Sequence, residues 1–78
     1  MEEASGVIPE DDIPSVLLDL RIRYGLTQAE MARLIGPTTA VSSISAWERG
    51  ERVPSRINNA RIMRAFPELE EDYGYHPD

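Results

Sequence analysis

Cysteine is absent from this sequence, and so is any long apolar run. Without cysteine the chain can form neither disulfides nor a thiolate metal site, which excludes the small disulfide-bonded secreted proteins. No apolar run approaches the roughly 18 residues that a membrane-spanning helix requires. The first residues, MEEASG, are acidic, whereas a signal peptide begins with a basic region. The sequence therefore predicts a cytoplasmic protein with no membrane segment.

Length also limits what the chain can contain. Seventy-eight residues make one small domain, and a domain of this size buries only about 60% of its unfolded surface. A hydrophobic fraction of 41% is typical of a globular protein rather than a disordered one. We therefore expect one economical fold, without room for a separate sensor domain.

Lysine is absent too, so all eight basic residues are arginines, and they lie between residues 21 and 64. That segment contains three glutamates and has a net charge of 8 − 3 = +5, while eleven acids in segments 1–20 and 65–78 bring the chain to −6. The total charge argues against nucleic acid binding, but its distribution favours it. Arginine is the side chain best suited to forked contacts with phosphate and guanine. A coding bias would also explain the arginines, and the sequence leaves that alternative open.

The N-terminal half of the sequence predicts two helices. Apolar residues at helical spacing predict the first, over 13–23: Ile13, Val16, Leu17, Leu20 and Tyr24. Gly25 is well placed to end this helix in a left-handed conformation. Thr27 and Glu30 fit a capping box that begins a second, short helix, which ends at Gly36.

The C-terminal half predicts three more helices. Thr38 or Thr39 can cap a third helix, whose apolar spacing predicts one buried face: Val41, Ile44 and Trp47. Ser55 is expected to cap a fourth helix, and Pro67 begins a short fifth one. Because Trp47 shares its face with apolar residues, we expect it in the core rather than stacked on a base.

Two segments carry a specific motif: RIRYGLTQAEMARLIG and SSISAWERGERVPS. Together they resemble the Cro/C1-type (XRE-like) helix-turn-helix family of DNA-binding regulators, over roughly residues 17–66. The resemblance implies an all-α fold, a small five-helix lambda-repressor-like domain with its helix-turn-helix at 27–48. We expect that domain to span 12–72, between an acidic, frayed N-terminus at 1–11 and a C-terminal tail at 73–78.

In this family the second helix lies across the DNA backbone and the third enters the major groove. The candidates for base contacts are Thr39, Val41, Ser42, Ser45, Ala46 and Arg49. The candidates for phosphate contacts are Thr27, Gln28, Thr38, Ser43, Arg49, Arg52, Ser55 and Arg56. The face opposite Ile44 is expected to present small residues to the groove, Ala46 among them, which lets the helix approach the bases closely.

The sequence departs from the family pattern in three places. The turn between the second and third helices has two extra residues around Pro37, so the third helix is expected from about Ala40. The long polar side chain usual near its start is missing, so specificity is expected to rest on DNA shape, on Arg49 or on the longer turn. Asn59 occupies a position where leucine is common, and capping, a bond across a dimer and a shorter helix are the alternatives.

These features predict a sequence-specific transcriptional regulator, a repressor or autoregulator that binds an inverted repeat in double-stranded DNA as a homodimer. The dimer contact is expected near three C-terminal residues: Phe66, Leu69 and Tyr73. Phage Cro-like repressors and restriction–modification control proteins likewise act through one small domain without a sensor domain.

The alternative function is that of an antitoxin or other protein-binding module of the same fold. Such a protein would bind DNA and also a toxin or regulatory partner, and the acidic ends would suit a basic partner. We expect no enzyme activity and no cofactor, since nothing positions or desolvates the acids near the C-terminus. We also expect no metal site, because the tail that carries His76 is too frayed to position metal ligands.

Overall fold

Helices account for most of the chain that the structure describes, residues 6–74. In this computed structural model five α-helices follow one another: α1 (Ile13–Tyr24), α2 (Gln28–Ile35), α3 (Val41–Glu48), α4 (Arg56–Ala65) and α5 (Glu70–Tyr73). Short 3₁₀ helices, Glu10–Asp12 and Pro67–Leu69, precede α1 and α5. This order confirms the predicted all-α architecture of five helices. None of the helices described here is long and apolar enough to cross a membrane.

Local signals in the sequence set the boundaries of the first two helices. Gly25 ends α1 with a φ of 64°, in the left-handed region that favours glycine. The Thr27 hydroxyl accepts from the Glu30 N–H at 3.0 Å, and the Glu30 carboxylate accepts from the Thr27 N–H at 2.8 Å. The second of these bonds holds the pKa of Glu30 below its ordinary value, because it stabilises the ionised carboxylate. The predicted left-handed glycine and the predicted capping box are both confirmed.

An apolar cluster lies between the helices. Its most deeply buried members come from α1 to α4 and from the segment before them: Ile8, Ile13, Leu17, Met31, Ile44 and Ile62. Trp47 belongs to the same cluster, which confirms its prediction as a core residue. Helix α3 packs against both α1 and α2, and α2 also packs against α4. The position of α3 is therefore set from two sides.

The segment before α1 is packed, and the prediction of a frayed N-terminus is wrong for its described part. Ile8 is buried, its N–H donates to Asn59 Oδ1 at 2.8 Å, and its carbonyl accepts from Asn59 Nδ2 at 2.9 Å. Asn59 is buried as well, and a leucine there would leave both backbone groups of Ile8 without partners. Asn59 thus holds the N-terminal segment, a role absent from the sequence alternatives. Residues 1–5 lie outside the described residues.

Two of the three predicted dimer-contact residues lie in the core. Phe66 and Leu69 are buried in the apolar cluster because the chain turns back after α4, so a second chain cannot reach them and that prediction is wrong. Tyr73 is half-buried, and its hydroxyl donates to Asp12 Oδ2 at 3.1 Å. The Tyr73 carbonyl accepts from the Gly6 N–H at 3.0 Å, so the two ends of the described chain meet. The predicted tail residues 75–78, which include the histidine, lie outside the described residues.

Replacing Asn59 with alanine should cost on the order of 2 kcal/mol of unfolding free energy, because two buried backbone groups of Ile8 would lose their partners. Asn58→Ala is the matched control, since Asn58 is half-buried and its side chain accepts a 3.4 Å bond from Arg61. That control should stay within about 0.5 kcal/mol of the native protein. Urea unfolding measures both variants, and hydrogen exchange at the Ile8 amide should accelerate in Asn59→Ala alone. Equal costs in the two variants would contradict the assignment.

Candidate nucleic-acid interface

Residues 36–40 connect α2 to α3. Gly36 ends α2 in an extended conformation, and its carbonyl accepts from the Thr39 N–H at 3.1 Å. This bond closes a turn around Pro37, which has no N–H of its own and cannot continue the helix. The region around Pro37, where the sequence predicts two extra residues, lies within this turn, before α3 begins.

The N-cap residue of α3 is Ala40, which makes no side-chain capping bond. The predicted cap at Thr38 or Thr39 is therefore wrong. The Thr39 hydroxyl oxygen is buried within the turn, 3.4 Å from the place that a Cβ on Gly36 would take. A buried hydroxyl is not available to a base edge, so the structure does not support Thr39 as a base contact. Helix α3 begins at Val41, one residue later than expected.

Helix α3 is rotated about its axis relative to the predicted orientation. The sequence predicts Val41 on the buried face and Ala46 on the face toward the groove. In the structure Ala46 is buried and Val41 is 44% exposed, so both predictions are wrong. Because α3 packs against α1 and α2 together, its buried face is wide enough to include Ala46 beside Ile44 and Trp47. The opposite face, continued by Arg49 directly after the helix, presents exposed or half-buried side chains: Val41, Ser42, Ser45 and Arg49. We name these four residues the recognition face.

Arg49 lies at the C-terminal end of the recognition face, and all three of its guanidinium nitrogens are engaged. Nε and Nη2 donate to the two carboxylate oxygens of Glu51 at 2.9 and 2.8 Å, and Nη1 donates to the Ser45 hydroxyl. The pair is solvent-exposed, with 54% of the Arg49 and 59% of the Glu51 side chain accessible. Hydrogen bonding to Arg49 lowers the pKa of Glu51, and the same contact raises the pKa of Arg49. Both groups are therefore charged at neutral pH.

Gln28, a predicted phosphate contact, is the first residue of α2 and is tied to α3. Its Nε2 donates to Glu48 Oε1 at 3.0 Å, and the same oxygen accepts from Arg21 Nη1 of α1 at 3.5 Å. The Glu48 side chain is 7% exposed and the Arg21 side chain 24%, so the ion pair is largely buried. Because a carboxamide carries two N–H groups, the second N–H of Gln28 stays able to donate to a phosphate.

The other phosphate candidates differ in exposure. Five of these side chains are exposed: Thr27, Thr38, Arg52, Ser55 and Arg56. Ser43 is half-buried. The Thr27 hydroxyl caps α2, and the Ser55 hydroxyl caps α4 by accepting from the Asn58 N–H at 3.2 Å. Each hydroxyl can still donate its hydrogen to a phosphate, since a hydroxyl is both donor and acceptor.

Glu51 contributes to this surface, although no family motif points to it. The available signal is the order Arg49-Gly50-Glu51, because a glycine between opposite charges allows the chain to reverse and bring them together. Gly50 does adopt a positive φ of 73°. Whether such a reversal occurs depends on how α3 ends, which local sequence alone does not determine.

Comparison with known protein families assigns these helices to one family. The sequence matches the helix-turn-helix family over residues 17–73, a range that contains the four helices α2 to α5 completely. The chain belongs to this family. The match confirms the Cro/C1-type (XRE-like) resemblance, and it identifies a DNA-binding helix-turn-helix protein.

Among curated proteins, this helix-turn-helix protein is similar to the type II methyltransferase M1.ScrFI of Lactococcus lactis subsp. cremoris, with 34% identity over 59 residues. The match covers 74% of this chain and 15% of the methyltransferase, so the chain spans a small part of that relative's length. No solved structure matches the chain at a significant level.

Replacing Arg21 with methionine in this helix-turn-helix protein should lower the unfolding free energy by about 3 kcal/mol, because Glu48 would stay buried without its charged partner. Arg23→Met is the matched control, since Arg23 pairs with Glu68 at 3.2 Å on the surface, where ion pairs contribute less than about 1 kcal/mol. Urea unfolding followed by circular dichroism measures both variants. Similar losses would show that the Glu48 ion pair does not tie α1 to α3.

Proposed function

We propose that this chain is a sequence-specific transcriptional regulator that places α3 in the major groove of double-stranded DNA. The observation that carries the proposal is the recognition face, on which every side chain ahead of Arg49 is small. Small side chains let the helix come close to the base edges, and helix-turn-helix proteins use this helix for recognition. The family match over residues 17–73 supports DNA as the ligand.

The recognition face offers three kinds of contact with DNA. The Val41 methyl groups suit the methyl group of thymine, and the Ser42 and Ser45 hydroxyls suit base edges or phosphates. The Arg49 guanidinium suits the forked acceptors of guanine or phosphate. With no long amide side chain among these four residues, direct readout is limited. Sequence-dependent DNA shape then supplies part of the specificity, and Arg52 adds a phosphate contact that fixes the register.

We further propose that two copies bind one operator. One domain presents one recognition face and reads one half-site, so a two-fold pair reads an inverted repeat whose half-sites are about 34 Å apart. Since Phe66 and Leu69 belong to the core, the contact between copies must use side chains that the fold leaves exposed. Bound at a promoter, the pair represses by occupancy, and the concentration of the protein is the signal.

Similarity to a type II methyltransferase favours one biological setting among those compatible with the sequence. Phage-type repression, an antitoxin role and control of a restriction–modification system all fit a small helix-turn-helix protein. The methyltransferase match favours the last of these, in which the regulator controls modification genes. The antitoxin alternative depends on the acidic ends, of which residues 1–5 and 75–78 lie outside the described residues.

The proposal predicts binding to the DNA upstream of the protein's own gene, seen as two protected half-sites in a footprint, with an affinity that falls steeply as salt rises. Ser42→Glu should weaken that binding about 100-fold, because like charges placed against each other in an interface cost several kcal/mol. Fluorescence anisotropy with a labelled duplex measures the affinity.

Ala60→Glu is the matched control for Ser42→Glu. Ala60 is exposed on α4 beside Met63 and Arg64, so the control changes the net charge equally without altering the recognition face. Its affinity should stay within about threefold of the native protein, since Ala60 lies outside the recognition face and salt screens interactions between exposed charges. Equal losses in both variants, or full binding by Ser42→Glu, would contradict the placement of α3 in the groove.

A further inference from the structure

The positive charge of the recognition face is paired before any DNA arrives. Glu51 takes the Nε and Nη2 donors of Arg49 in a fork, at 2.9 and 2.8 Å. Carboxylate and phosphate accept a guanidinium in the same two-oxygen geometry. Of the five N–H donors of the guanidinium, Glu51 therefore takes two, which form one of the forks that a DNA phosphate or a guanine would use.

The turn after α3 fixes Glu51 in this position. Gly50 reverses the chain with a φ of 73°, and the Ala46 carbonyl accepts from the N–H groups of Glu51 and Arg52 at 3.0 and 3.4 Å. Because Ala46 is buried, these bonds anchor the backbone of Glu51 to a core residue. The acid is thus held beside Arg49 by the fold, and not only by the attraction of opposite charges.

When DNA binds, Arg49 either leaves its ion pair with Glu51 or keeps it. When Arg49 moves to a phosphate, Glu51 loses its partner and its carboxylate lies close to the negatively charged backbone. When Arg49 stays with Glu51, its charge neutralises no phosphate and releases no counterion. Either course weakens binding, and neither depends on the sequence of the bases.

We propose that Glu51 is an internal competitor of DNA for Arg49, which lowers the affinity of this protein for duplex DNA of any sequence. The inference rests on the proposed function. It adds a residue that controls what fraction of the protein is bound to non-specific DNA. By keeping Arg49 paired, Glu51 leaves more of the protein unbound in the presence of DNA at a given concentration.

The test compares the native protein with Glu51→Gln on a random-sequence duplex of about 20 base pairs, by fluorescence anisotropy over a series of salt concentrations. Glutamine keeps the shape of the side chain but removes the charge that holds Arg49. We expect Glu51→Gln to bind about 2- to 5-fold more tightly, which corresponds to the strength of an exposed ion pair. The dependence of log affinity on log salt should steepen by about one ion, because Arg49 becomes free to neutralise a phosphate.

Two controls separate this effect from a change in total charge. Glu71→Gln removes an exposed acid on α5, in the groove beside Asp19 and Leu69, and should change the affinity by less than about 1.5-fold. In an Arg49→Ala background, the gain from Glu51→Gln should be smaller than in the native background and the salt dependence should no longer steepen, since the coupling between two residues disappears once one is removed and only the repulsion between Glu51 and phosphate is left. Thermal unfolding of all variants should stay close to that of the native protein, because these side chains are exposed.

The possible results assign failure to the inference or to the function beneath it. If the native protein binds DNA while Glu51→Gln changes neither affinity nor salt dependence, the internal competitor is wrong and the proposed function stands. If Glu51→Gln binds more weakly, Glu51 orients Arg49 for DNA rather than withholding it, which also overturns the inference. If neither protein binds any duplex, the proposed function fails and the inference fails with it.

Discussion

The carboxylate of Glu48 receives hydrogen bonds from both helices against which α3 packs. Arg21 reaches it from α1 and Gln28 from α2, and both donate to the same oxygen at the C-terminal end of α3. A rotation or slide of α3 would break these bonds and leave a buried charge without a partner, which is costly. The orientation of the recognition face is fixed in this way, which the proposed readout of DNA by small side chains requires.

The features of this fold that could be predicted are those set by neighbouring residues. Gly25, Thr27 and Ser55 each act within three or four positions along the chain, and they mark helix ends where the structure has them. The orientation of α3 could not be predicted in the same way. Its apolar spacing is compatible with two overlapping faces, and only packing against α1 and α2 together buries Ala46 and exposes Val41.

Contacts between distant parts of the chain account for most of the other differences. Asn59 pairs with Ile8, 51 residues away, and no local pattern indicates that a polar residue of α4 would hold the N-terminal segment. Phe66 is an aromatic residue of the kind found in dimer contacts, yet the chain reverses direction after α4 and places Phe66 in the core. The fork between Arg49 and Glu51 is local, but it depends on how α3 ends. The sequence therefore predicts where the candidate interface lies, but not that its arginine is paired with an acid.

The hydrogen bond from the Gly6 N–H to the Tyr73 carbonyl joins the two ends of the described chain. The N-terminal segment and α5 therefore leave the domain from one place, on elements other than α2 and α3. A unit whose ends are adjacent can be appended to a longer protein, or inserted into one, without stretching its fold. The 59-residue match to 15% of a methyltransferase concerns such a longer chain. For protein engineering, the adjacent ends make this helix-turn-helix domain suitable for fusion to another protein at either end.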